Sequence, residues 1–171
     1  MVLNIYLDAS YLAEPKTRSR LAGCFFLGSV PIKGQEIKMN SSMFVACKIL
    51  KIVVASVAES KLGALILNMK EGVIICLMLE EMGHKQPPTP VHCDNSTAAG
   101  IANDTVKHQQ LRPMEMGSFW VVDQVFLELF DVQWQPGQEN LADYFTKHVI
   151  KSHHQAVRPW YLHERNSPRY V

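Results

Sequence analysis

The sequence has few of the features that mark specialised chains. Its four cysteines, Cys24, Cys47, Cys76 and Cys93, form no C-x-x-C pair. Each lies in an apolar run, which argues against a disulfide scaffold or a zinc site and for buried free thiols in a reducing compartment. No N-terminal apolar stretch has the marks of a signal peptide. The longest apolar-rich region, 62–82, is broken by Lys70, Glu71, Glu80 and Glu81 and reads as no membrane span. Net charge is almost absent: 17 Lys+Arg stand against 16 Asp+Glu, a balance of +1, so nothing global points to nucleic acid or a membrane surface. With 47% apolar and 19% charged residues the chain is neither disordered nor collagen-like. Repeats and low-complexity tracts are lacking too. The expected setting is intracellular, cytoplasmic or nuclear, with no membrane contact.

What is present fits one domain. The 171 residues divide into a body, 1–150, and a basic C-terminal tail, 151–171. A body of that size buries roughly 70% of its unfolded surface and needs no staples. The charge is unevenly spread. Residues 1–56 carry seven basic and three acidic side chains, 57–150 carry six and twelve, and 151–171 carry four and one. An acidic middle between basic flanks suits carboxylates gathered beside a phosphate-binding rim.

Periodicity orders the elements. Residues 2–8 alternate into a carboxylate and read as a strand. A turn over 14–20 leads to a second, central strand over 21–30, and Gly34 marks the next turn. Further short strands fall at 35–39 and 43–46. From Leu62 the apolar residues at 62, 65, 66, 69, 73, 76 and 77 trace one helical face. Ser56 with Glu59 makes a capping box at its start, and Gly83 with Pro87–Pro88 ends it. A short strand over 91–94, a small-residue helix over 95–102, a helix over 113–129, a strand over 131–134 and a helix over 139–148 complete the order β-β-β-α-β-α-α-β-α. Trp120 and Trp134 read as core. The tail lacks periodicity, Trp160–Tyr161 excepted as a docking pair, and His153–His154 reads as solvated rather than metal-binding. The pattern predicts an α/β fold: a mixed sheet with helices on both faces.

Three aspartates share a placement. Asp8 falls within or at the end of the first strand, Asp94 at the end of the strand after the long helix, and Asp143 in the first turn of the last helix. Carboxylates converging at strand ends are the ligands a hard cation such as Mg²⁺ takes, and a pair of such ions supports phosphodiester hydrolysis. Each also has a plain reading: a strand end, a helix N-cap, and a charge favoured by a helix dipole.

The words around them carry a resemblance. Tyr6-Leu7-Asp8-Ala9-Ser10-Tyr11-Leu12, Asp94-Asn95-Ser96-Thr97-Ala98 and Asn140-Leu141-Ala142-Asp143-Tyr144-Phe145-Thr146-Lys147 occur in this order. With the stretches beginning at Ala58, Trp134 and Ser152, they resemble the ribonuclease H domain at the end of copia-type LTR retrotransposon polyproteins. The resemblance spans about 2–162. It implies a five-stranded mixed sheet flanked by helices, hydrolysis of the RNA strand of an RNA/DNA hybrid with two Mg²⁺, and a reverse transcriptase domain as neighbour in the parent polyprotein. The start inside a strand, with no polymerase sequence ahead of it, reads as a fragment of such a polyprotein. The resemblance also implies four site carboxylates. Asp8, Asp94 and Asp143 match three of them as metal ligands.

The fourth is missing. The family word Ala-Glu-x-Glu stands here as Ala58-Glu59-Ser60-Lys61, so lysine takes the metal-binding place and the local charge changes by two. Two unit charges 4 Å apart interact by about 4 kcal/mol at an effective dielectric of 20, so Lys61 is expected to pair with Asp8 in the cation's place. Glu59, two positions back, lies about 200° around the helix and is a weak substitute. The segment 107–117, with Pro113, departs from the family's basic pre-helix segment. No histidine falls over 135–140 to help product release. His108 and His148 read as surface residues. Lys16, Arg18, Arg20, Lys48 and Lys51 are the candidate nucleic-acid contacts. The expectation is an impaired nuclease; the alternatives are a non-catalytic nucleic-acid or protein binding module, or a decayed remnant.

Overall fold

Alternation along the first strand sets the two faces of the sheet. In the computed structural model, which describes residues 1–29, 39–106 and 115–162, β1 (Val2–Glu14) sends Leu3, Ile5, Leu7 and Ala9 into the main core. Tyr6 faces the other way, against Phe26, and Asp8 shares its parity. A tight turn at Pro15-Lys16-Thr17, with Lys16 and Thr17 at φ 61° and 52°, reverses the chain into β2 (Arg18–Gly28). Positive φ at both positions matches the twist of the hairpin. β3 (Met39–Ile49) adds to the far side of β2.

The sheet runs β3-β2-β1-β4-β5, with β4 (Thr89–Cys93) parallel to β1 and β5 (Phe130–Trp134) parallel to β4. The first three strands are antiparallel. On one face lie α1 (Val57–Glu81), α2 (Ser96–Ala102) and α3 (Glu115–Phe126). Against the other pack a one-turn helix α4 (Asp143–Thr146) and α5 (Lys151–Tyr161), around Cys24, Phe26 and Ala142. The five-stranded mixed sheet with helices on both faces is the expected fold class.

α1 starts where the cap chemistry places it. The Ser56 hydroxyl accepts from the Glu59 N–H at 3.1 Å, and a Glu59 carboxylate oxygen accepts from the Ala55 N–H at 2.8 Å. The helix is long and apolar enough to cross a membrane by length and composition. Its first turns are instead buried all round, from Glu59 to Leu65, between the sheet and its neighbours. Further along, the expected apolar face runs out: Leu77 is exposed and Leu79 is buried in its stead.

Several expectations are corrected. The turn over 14–20 shrinks because β1 and β2 run on to Glu14 and from Arg18. The strand pieces at 39 and 43–46 are one strand, while Gly34, residues 35–38, His108, Pro113 and the tail beyond 162 lie outside the described residues. The helix over 139–148 is a 3-10 turn, Gly137–Glu139, followed by α4. The aperiodic tail is helical as far as Tyr161, whose hydroxyl donates to the Leu141 carbonyl. The helix expected to run to 129 ends at Phe126, and Met116 and Leu129 are exposed. Trp134 is 57% exposed rather than core. All four cysteines are free, but Cys47 is exposed.

Candidate active site

β1 and β4 run parallel with Leu7 opposite Cys93, so Asp8, midway along β1 rather than at its end, and Asp94, just past the end of β4, lie side by side. The N-terminal turns of α1 cross this edge and bring Lys61 to both. The Lys61 ammonium donates to Asp8 Oδ1 at 2.5 Å and to Asp94 Oδ1 at 2.6 Å. The three side chains are 8% (Lys61), 0% (Asp8) and 16% (Asp94) exposed. Burial pulls the ammonium's pKa down, but the two aspartates outweigh it and hold it above the ordinary lysine value.

The other Asp8 oxygen is also taken: the Thr146 hydroxyl donates to Oδ2. Thr146 lies one turn after Asp143 in α4, and its hydroxyl also reaches the Asp143 carbonyl at 3.1 Å. The Asp143 carboxylate pairs with Lys147, the residue that follows α4. Asn140 fixes this segment from below. Its amide donates to the Leu7 carbonyl at 2.8 Å and its oxygen accepts from the Ala142 N–H at 3.1 Å. Sequence reasoning misses Thr146 and Asn140, although both sit in the word that contains Asp143.

The remaining candidates disperse. Glu59 is committed to the helix cap through Ala55, not to the aspartates. Asp94 does not cap α2; Asn95 does, accepting from the Ala98 N–H at 2.8 Å. The five candidate cations do not share a face. Arg20 pairs with Glu14 at 2.5 Å and lines a cleft of about 250 Å³ with Thr146, Lys147 and His148. Lys48 pairs with Glu71 at 3.1 Å and, with Lys51, borders an apolar groove along α1. Lys16 stands exposed in the hairpin turn, with Arg18 half-buried beyond it. A larger cavity, about 890 Å³, opens past Asp143 between Tyr6, Tyr144, Trp160 and Tyr161. Trp134 lies beside the aspartates, its indole N–H directed to the Asp94 carbonyl at 3.3 Å.

The donor set does not suit the two Mg²⁺ that the resemblance implies. An ammonium already bridges two of the carboxylates, and a dication brought between them meets it as a like charge. Each of the three aspartates is paired with a protein cation. Among the described residues no three His, Cys, Asp or Glu side chains group to hold a metal ion.

Comparison with known proteins agrees with the fold. No protein-family model matches the chain. It is 26% identical over 151 residues to the retrovirus-related Pol polyprotein from transposon TNT 1-94 of Nicotiana tabacum, a match that spans 88% of this chain and 11% of that polyprotein. Among solved structures, LC11-RNase H1 in complex with RNA/DNA hybrid superposes with a TM-score of 0.57 at 13% identity, over 88% of this chain and 98% of that one. RNase H1 from the halophilic archaeon Halobacterium salinarum superposes at 0.54 with 11% identity, over 85% and 94%. The fold is the ribonuclease H fold, and the resemblance to the ribonuclease H domain of a copia-type retrotransposon polyprotein is borne out.

Proposed function

We propose that this chain is a ribonuclease H-type domain descended from a copia-type LTR retrotransposon polyprotein, and that its hydrolysis of RNA/DNA hybrids is impaired by Lys61. Residues 1–150 form its catalytic body, and a reverse transcriptase domain is its neighbour in the parent polyprotein. Its substrate class is the RNA/DNA hybrid, met inside the cell, where free thiols persist. Asp8, Asp94 and Asp143 are the site carboxylates, and Glu59 acts as a cap. One observation supports the impairment above all others: the Lys61 ammonium is bound to Asp8 and Asp94 together. In this state the chain's own residues hold the aspartates in place, with one positive charge of Lys61 shared between the two.

The test is cleavage of a labelled hybrid in Mg²⁺ by the unaltered chain and by Lys61→Glu. The unaltered chain should cleave slowly or not at all, and Lys61→Glu should raise the rate by at least tenfold, an effect abolished by adding Asp94→Asn. Ordinary cleavage by the unaltered chain, lost in Asp94→Asn, would overturn the impairment.

A second reading, a module that binds nucleic acid without cutting it, draws support from Trp134. A half-exposed indole next to the aspartates offers a stacking face to a base or sugar. Salt-sensitive binding by both the unaltered chain and Lys61→Glu, with no cleavage by either, would favour it.

A further inference from the structure

Asp8 and Asp94 are held within reach of one ammonium, and the geometry makes that ammonium more than an obstacle. We infer that Lys61 is a tethered cation that takes over the structural part of a divalent ion, so that the folded chain neither binds nor needs metal at this centre, and that removing the ammonium uncovers a divalent-cation site. The inference rests on the reading of Lys61 at a carboxylate position. It goes further in concerning what holds the centre together rather than whether it turns over substrate.

Three observations carry it. First, one nitrogen contacts an oxygen of each aspartate, at 2.5 Å and 2.6 Å, which is the bridging position between them. Second, both oxygens of Asp8, a side chain with no exposed surface, are committed to protein donors, Lys61 and Thr146. An entering ion would have to strip one of these contacts in the interior and displace a bound like charge. Third, the Asp143 carboxylate has a protein cation of its own, Lys147, so each carboxylate of the set lies beside an ammonium. Without the ammonium, Asp8 and Asp94 face each other as like charges in a buried setting. That arrangement is relieved by a proton or a cation, and oxygen ligands held by two neighbouring strands suit a hard divalent ion.

The experiment is thermal unfolding of the full chain, without nucleic acid, in chelator and in rising Mg²⁺ or Mn²⁺. The unaltered chain should keep one Tm throughout. Lys61→Met, which keeps most of the aliphatic stem and loses the charge, should melt lower in chelator. Its Tm should climb with the ion, by about 3–6 °C at ten times Kd. Lys61→Glu, with a third carboxylate, should climb further. The inference is overturned if the unaltered chain gains as much as Lys61→Met, or if neither substituted chain responds. Should Lys61→Met fail to fold, Mn²⁺ electron paramagnetic resonance on the unaltered chain still decides. An unchanged aquo-ion signal is expected, and a stoichiometric loss of signal that Asp94→Asn prevents would overturn the inference. Lys61→Glu gaining metal-dependent stability without cleavage would overturn the functional proposal alone.

Discussion

His92 is a buried imidazole in β4, the strand that leads into Asp94. It stacks on Tyr6, with ring centroids 4.4 Å apart, and its Nε2 is buried without a hydrogen-bond partner. Burial pushes it down from 6.5 to about 4, with Asp131 on β5 pulling weakly the other way. Tyr6 is pushed up to about 12 by burial and by Glu139, so neither ring is charged near neutrality. The sign follows from linkage. The unfolded chain takes up the His92 proton near 6.5 and the folded chain only near 4, so His92 leaves stability intact above 6.5 and erodes it as the pH falls toward 4. His92→Phe keeps the stack and removes the titration. Urea unfolding at pH 7 and pH 5 should show the unaltered chain losing about 2 kcal/mol more than His92→Phe. Equal losses would mean that His92 is protonated in the fold. At this scale the sequence is most legible where a residue breaks a recognisable word. Lys61 stands out because lysine replaces a carboxylate. Thr146 does not, because its role depends on Asp8, 138 positions away.

Elements are legible where their signals are local. The start of α1 follows from Ser56 and Glu59, whose bonds span three and four residues. The stretch expected as a helix over 139–148 is not, because Asn140 spends its side chain on the Leu7 carbonyl, 133 positions back, and its own backbone is extended. The packing of α1 on β2 is likewise hidden. Asn68, fully buried, donates to the carbonyls of Ala22 and Ala64 at 3.1 Å and 2.8 Å. It reaches Ala22 because Gly23 has no side chain; a Cβ there would lie 1.9 Å from Asn68 Oδ1. Gly23→Ala should therefore cost about 1–3 kcal/mol in chemical denaturation, as overpacking does. Asn68→Ala should lose its own hydrogen bonds yet relieve the clash. The double substitution should then fall short of the summed costs by about 0.5 kcal/mol or more. Additive costs would place the helix further from the strand than these contacts require.

At the scale of the molecule, the balance of 17 basic and 16 acidic residues predicts no nucleic-acid surface, and the fold shows why a list of basic residues along the chain predicts one no better. Leu21 pairs with Lys48, while Arg20 pairs with Ile49. Neighbours along a strand face opposite ways, so Arg20 and Lys48 lie on opposite faces of the sheet. Only Arg20 opens toward the site, in the cleft with Lys147, His148 and Thr146, and Thr146 is bonded to Asp8. That cleft, unlike the groove bordered by Lys48 and Lys51, is lined by a residue bonded to Asp8. Each phosphate contact adds a released counterion and steepens the salt dependence of binding by about 0.7–0.9 in log–log slope. Arg20→Ala should accordingly weaken hybrid binding and flatten that slope by about one contact, measured by fluorescence anisotropy across a salt series. Lys48→Ala and Lys51→Ala should leave both unchanged. The reverse pattern would place the hybrid along α1, on the face of the sheet away from α4, and would separate the binding surface of this chain from its aspartates.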